Sequence, residues 1–455
     1  MNASACVETL VRATGQGEII PWLATDWQMS DDKTTLTMHL QPNVKFHDGT
    51  DFNAEAVKYN LDLYRDGILT DMDNVSEVEV VDNNTIIFHF SEYHSDFFYL
   101  LAWSAGRIVS PTALQTYTKE ELYTHPVGTG PFKFVSYQQD VSLVYDRFDD
   151  YWQEGKPYLD GVRFDYVADR TVALMAFESG QADINTFLDP RDAERLLSNP
   201  DYTVYTLPAV TVGAIEDSAN PDSPFSKVEV RKAISYAVPT NQLPALVGFG
   251  AQPGVQLFPE GSQGYNPDFE AIPYDPDYAR QLLADAGYPD GFDTTIYVYS
   301  YIEMDAWVAI QGYLNEVGIR TTINSVTMVA WMGDVFGNGF TGIACQYMMC
   351  FPGQSILSDI TGSLSLHGTQ SPVSKSFVYP DDYTANVDAL TLETDPDVAQ
   401  ELIYELGEMA VNEYSMFQPF YVYYMSSVTN NRVHDDKLYQ EVMHLWTPED
   451  AWLSD

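Results

Sequence analysis

Cysteine is scarce in this chain. Three in 455 residues are too few for a disulfide framework, and Cys6, Cys345 and Cys350 lack the paired spacing of a zinc site. Cys345 and Cys350 could join only if a loop brought their Cα atoms to about 5.5 Å, which a continuous strand forbids. Basic side chains are also few: 22 against 66 acidic ones, a formal charge of −44. Such a surface repels phosphate backbones and anionic headgroups, which argues against nucleic-acid binding and against attachment through a basic patch. No run of about 18 apolar residues occurs, so no segment reads as a membrane span. Missing too are a GxSxG elbow, an HExxH pair and a GxxxxGK[ST] loop, while Gly248, Gly250 and Gly254 miss the dinucleotide spacing. Asp71, Asp73 and Glu77 imitate a calcium loop without its turn glycine. Ala3-Ser4-Ala5-Cys6 imitates the end of a lipoprotein signal without the basic start and apolar stretch that a signal needs.

What the chain does have is apolar and aromatic surface. The hydrophobic fraction is 45%, with 31 Tyr, 23 Phe and 8 Trp, enough to offset the entropy of ordering and to exclude wholesale disorder. The length predicts about three compact units.

Alternation through Leu36, Met38 and Leu40 predicts a half-buried strand after the turn Ser30-Asp31-Asp32-Lys33. Asn53 caps a predicted helix whose apolar face is Ala56, Val57, Leu61 and Tyr64. Val75 to Val81 and Thr85 to Phe90 pair across Asp82-Asn83-Asn84. Together these predict an α+β unit over residues 24 to 125. A boundary follows at Val127-Gly128-Thr129-Gly130-Pro131-Phe132, and beyond it come strands, a helix closed by Gly180 and a further short strand. Phe249 to Asp275, rich in Gly and Pro, reads as a long covering or binding loop. The order strand, helix Met304 to Val317, strand Ile319 to Val326 predicts a right-handed crossover in a separate α/β lobe. A companion helix is predicted over Asp397 to Tyr414 and an aromatic strand over Phe417 to Met425. Tyr347, Met348, Met349 and Phe351 form an apolar cluster, read as core or as a pocket wall.

Pro21-Trp22-Leu23-Ala24-Thr25-Asp26-Trp27 with Val44-Lys45-Phe46-His47-Asp48-Gly49 resembles the signature of the extracellular solute-binding proteins of family 5, the oligopeptide, dipeptide and nickel receptors of ABC importers. Val127-Gly128-Thr129-Gly130-Pro131-Phe132, Asp149 with Tyr151-Trp152, Phe177-Glu178-Ser179-Gly180, Val230-Arg231-Lys232-Ala233 and Tyr274-Asp275-Pro276 follow in the family's order. The resemblance implies an α/β two-lobed clamp of the periplasmic-binding-protein kind. Residues 1–23, 127–236 and 426–455 would form the main part of lobe I, 24–126 an inserted α+β subdomain, and 237–425 lobe II. It also implies a ligand-binding receptor rather than an enzyme, with no cofactor, working as a monomer outside the cytoplasm. Its partners would be a peptide or other small solute and a membrane permease, and its precursor would carry a lipid anchor. Ala5 to Val11 would be the first helix, and the family places a signal, a strand and a cleft-lining segment before it.

By the same resemblance Leu100 to Arg107 faces the ligand, which makes Trp103, Ser104 and Arg107 candidates, with Arg107 suited to a carboxylate. Tyr299 and Tyr301 end a strand of lobe II, where open α/β sheets bind ligands, and Tyr347, Met348 and Met349 complete the set. Met349 stands where peptide-binding relatives carry an aspartate that holds the ligand's amine. Its loss removes a contact worth roughly 1.5 to 3 kcal/mol and implies a more apolar ligand. His367 is a weak metal candidate, on which a nickel-complex receptor would rest. A secreted hydrolase with an acidic aromatic cleft is the rival from another class, needing two carboxylates about 5 to 10 Å apart.

Overall fold

The computed structural model describes residues 4–15, 17–66, 72–186, 188–300, 302–350, 355–357, 360, 376–435 and 448–454. Two compact units are formed, one of Met1–Asp189, Arg195–Tyr205 and Ser426–Asp455, the other of Pro190–Glu194 and Thr206–Met425.

In the first unit, strands Ala24–Met29, Thr35–Leu40, Thr85–Phe90 and Val75–Asp82 make an antiparallel sheet in that order. Leu36, Met38, Ile86, Phe88 and Val78 point inward with no exposure, the expected result of period-two alternation. The helix Ala54–Arg65 covers them, capped by the Asn53 side chain accepting from the Ala56 amide at 2.9 Å. A second sheet runs Phe132–Gln138, Ser142–Arg147, Gly161–Asp165. The helix Arg170–Glu178 follows, capped by Asp169 and ended by Gly180 at φ +75.

Residues 7–11 are extended rather than helical. Val7, Thr9 and Val11 are β-branched, and the backbone is consumed by neighbours: Gly130 N donates to Cys6 O at 2.9 Å, Ile108 N to Glu8 O at 3.0 Å and Leu10 N to Gly106 O at 3.0 Å. Gly128 is required here, because a Cβ would lie 2.2 Å from the Cys6 carbonyl oxygen.

In the second unit, Phe292–Tyr299 pairs parallel with Ile319–Val326 and with Ile343–Met349. The helix Met304–Val317 makes the crossover, closed by Gly318 at φ +102. Tyr202–Glu216 adds antiparallel to Ile343–Met349, and Gln418–Asn430 lies on its other side. The stretch 206–236, expected with the first lobe, belongs to the second unit. The strand Tyr202–Glu216 pairs there from Val210 onward, and the helix Val228–Ala237 packs on Pro276–Asp285 and Met304–Val317. The companion helix spans Pro396–Glu408 and continues as a π-turn over Met409–Glu413. Cys345 and Cys350 are buried and not joined by a disulfide, the first within the continuous strand Ile343–Met349 and the second just past its end.

Candidate functional site

Trp22, Thr129, Tyr151 and Trp152, from three motifs of the sequence signature, converge on one buried carboxylate. Glu8 accepts from Trp22 Nε1 at 2.8 Å, Thr129 Oγ1 at 2.8 Å, the Tyr151 hydroxyl at 2.7 Å and Trp152 Nε1 at 3.0 Å. Burial nevertheless holds its carboxyl above the ordinary range, opposed by the Arg12 charge and these donors. Arg12 lies 3.2 Å above the Trp22 ring and donates to Glu449 Oε1 at 2.8 Å. Three separated motifs are thus tied at one point of the first unit, and their role there is structural.

Cys6 and His47 resemble a nucleophile and base, with Sγ and Nδ1 at 3.5 Å. The geometry denies that role. His47 Nε2 faces Gly130 O at 2.8 Å, so the proton sits on Nε2 and Nδ1 is left as an acceptor facing the thiol, which donates to Pro126 O at 3.3 Å. Burial pushes the thiol up to about 12 and the imidazole down to about 4. A reactive pair needs the reverse, a thiolate beside an imidazolium.

Of the ligand candidates in the first unit, Trp103 ends the helix Phe97–Trp103 and is 36% exposed. Ser104 caps that helix, and its oxygen accepts from the Tyr64 hydroxyl at 2.8 Å. The Arg107 guanidinium sits 5.4 Å from the Trp103 ring centroid. Half-buried, it loses hydration, which lowers its pKa. Among the described residues no carboxylate pairs with it.

In the second unit Tyr299 is buried between Trp331, with ring centroids 5.4 Å apart, and Tyr347, at 5.1 Å. Tyr347 is half-buried, while Met348, one residue on, has no exposure and belongs to the core; strand alternation separates the two. The backbone of Met349 pairs with Val210, but its side chain, Tyr301, Phe351 and His367 lie outside the described residues. Sequence reasoning missed Glu303, which follows the strand Phe292–Tyr299 and precedes the helix Met304–Val317. Its Oε2 accepts from the Tyr421 hydroxyl at 3.0 Å. After burial, the Glu303 charge is the next cause holding the Tyr347 and Tyr421 hydroxyls far above their ordinary range. The available signal was its place in the loop after a parallel strand. A separate cavity of about 1120 Å³ in the first unit is lined by Tyr158, Tyr205, His434, Asp435, Asp450 and Trp452. It holds none of the predicted residues.

Residues 18–341 match the profile of the bacterial extracellular solute-binding proteins, family 5. The glutathione-binding protein GsiB of Shigella flexneri is 33% identical over 327 residues, 70% of this chain and 63% of that protein. The chain therefore spans 63% of the length of this curated relative. The DppA periplasmic binding protein of Helicobacter pylori, solved with the peptide STSA, superposes with a TM-score of 0.85. It is 24% identical over 99% of this chain and 93% of its own. AgaA of A. tumefacien R10, solved with agropinic acid, gives 0.82 at 24% identity, covering 99% and 93%. These structures establish the α/β fold of the two-lobed periplasmic binding proteins. The chain belongs to the bacterial extracellular solute-binding proteins of family 5.

Proposed function

We propose that this protein is the extracytoplasmic substrate-binding component of an ABC importer, capturing a peptide or related small solute and delivering it unchanged to a membrane permease. The two units act as the two lobes, and ligand stabilises the closed state by its differential affinity for it. No covalent step is needed. The candidate ligand contacts are Trp103, Ser104 and Arg107 of the first unit and, taken separately, Tyr347, backed by Tyr299, of the second.

Family membership over residues 18–341 supports the receptor role, and Arg107 is the observation that carries the site. In a chain with 66 acids and 22 bases, a desolvated guanidinium without a carboxylate partner among the described residues is costly to keep. A ligand carboxylate received bidentately would offset that cost. Replacement by glutamine, Arg107→Gln, is expected to weaken binding of a carboxylate-bearing solute about ten- to a hundredfold. Calorimetry with glutathione, the dipeptide Met-Leu and their C-terminal amides checks it. Equal affinity of the acid and amide forms for wild-type protein would remove Arg107 from the site.

A further inference from the structure

We propose that Glu216 is a neutral carboxylic acid that donates a hydrogen bond to Gln418 Oε1, and that its ionisation unlocks the segment Tyr414–Gln418 by drawing Arg231 away from it. The inference goes beyond the receptor reading and holds whatever solute is bound. Every residue in it belongs to the second unit.

Three observations carry it. Glu216 ends the strand Tyr202–Glu216 with 1% exposure, and neither of its carboxylate oxygens has a hydrogen-bond partner among the described residues. Beside it is Gln418, which has no exposure and whose Oε1 is equally unpartnered. The two strands approach closely here, since a Cβ at Gly213 would lie 2.3 Å from Gln418 O. The Gln418 amide nitrogen donates to Ser415 O at 2.8 Å and Ser415 Oγ at 3.3 Å, which leaves only an acceptor for Glu216. Two acceptors side by side repel, whereas one proton on Glu216 satisfies both. Second, Arg231 is 6% exposed and is committed to backbone carbonyls. Its Nε donates to Tyr414 O at 3.2 Å and Ser415 O at 3.1 Å, Nη2 to Tyr414 O at 2.6 Å and Nη1 to Phe225 O at 2.8 Å. Third, Tyr414 and Ser415 follow the helix Pro396–Glu408 and its π-turn Met409–Glu413, where the last carbonyls lack intrahelical partners and the helix dipole favours a cation. Arg231 and Gln418 together hold Ser415 at φ +46, a left-handed conformation that a residue with a Cβ seldom adopts.

The surrounding charges agree. Burial, the largest cause, holds the Glu216 carboxyl well above its ordinary range against Arg231 and Gln418, and Asp217 adds to it. Asp217, on the same segment, accepts from the Ser223 hydroxyl at 2.8 Å, and Glu229 acts on Arg231 from the helix Val228–Ala237. Once ionised, Glu216 is a buried anion that must be compensated, and the cation that acts on it is Arg231. The guanidinium then leaves the carbonyls of Tyr414 and Ser415, and Ser415 loses its clamp.

Glu216→Gln tests this, because its amide donates to Gln418 Oε1 as the acid does and cannot ionise. Infrared difference spectra of the full chain, wild type minus variant, are expected to show the carbonyl band of a protonated acid at neutral pH and its loss in alkali. In urea unfolding, the folding constant of wild type relative to the variant falls by up to about tenfold per pH unit above the ordinary carboxyl range. Hydrogen exchange over residues 414–418 speeds up in alkali more in wild type than in the variant. Gln418→Met, which keeps the acid and removes its acceptor, gives an independent reading: wild type retains the acid band over a window of pH in which this variant has already lost it. A carboxylate band in place of the acid band at neutral pH, or a stability ratio that is flat with pH, overturns the neutral acid. An acid band lost at the same pH in wild type and Gln418→Met overturns the bond to Gln418, and exchange that stays equal in wild type and Glu216→Gln overturns the unlocking.

Discussion

The melting temperature rises with potassium chloride, by roughly 5 °C or more between about 0.1 M and about 1 M. A net charge of −44 makes the compact state repel itself, and the distance over which charges act falls from about 10 Å to about 3 Å over that range. Ordinary surface ion pairs push the other way, since salt weakens them. The exposed pairs Arg163–Asp165, Arg280–Asp277 and Arg320–Asp293 contribute little individually and do not reverse the sign. Acid acts in the same direction as salt. Burial holds Glu8, Glu216 and Asp217 above the ordinary carboxyl range, so the folded chain binds protons before the unfolded one does. Their contribution is full below the unfolded values and is lost as pH rises through the folded ones. The stability these three groups contribute therefore falls as pH rises out of the ordinary carboxyl range. Calorimetric scans across both variables check this, and a melting temperature that falls with chloride contradicts it.

The second large effect lies at Arg12. Its guanidinium donates to Glu449, at 7% and 0% side-chain exposure, and its charge also acts on Glu8. Arg12→Met leaves two buried carboxylates without their cation, which costs about 3–5 kcal/mol, or roughly 6–20 °C for a unit of this size. Adding Glu449→Leu recovers much of the loss, because a buried pair removed together costs far less than one partner removed alone. Urea unfolding of the two single variants and the double variant gives the coupling directly. A loss under about 1 kcal/mol for Arg12→Met would mean that water reaches the pair.

Local rules decided much of what the sequence showed. The strand Ile319–Val326 and the helix Met304–Val317 were legible to the residue, because period, β-branching and Gly318 agree. Asn53, Asp275 and Gly180 marked element ends by their own chemistry. What stayed hidden depends on distant partners. Residues 7–11 carry an apolar pattern compatible with a helix, and only the backbone groups of Ile108, Gly106 and Gly130 make them extended. The strand Tyr202–Glu216 could not be assigned to a unit without its partner Ile343–Met349. Three of the motifs that reveal the family turned out to be the anchors of Glu8, so they announce the fold and leave the ligand unstated. Arg107 and Tyr347 were legible as candidates; Met348 was not separable from Tyr347 until strand alternation buried it. Glu303 is one acid among 66, and only Tyr421 and Tyr347 single it out.

The most direct measurement pairs small-angle scattering with mass spectrometry of the solute before and after incubation, using whichever compound shifts the melting temperature most. A clamp receptor contracts on saturation, binds one equivalent and returns the compound with its mass unchanged. A scattering profile indifferent to the compound, or a compound recovered as cleaved or altered product, would contradict capture by closure.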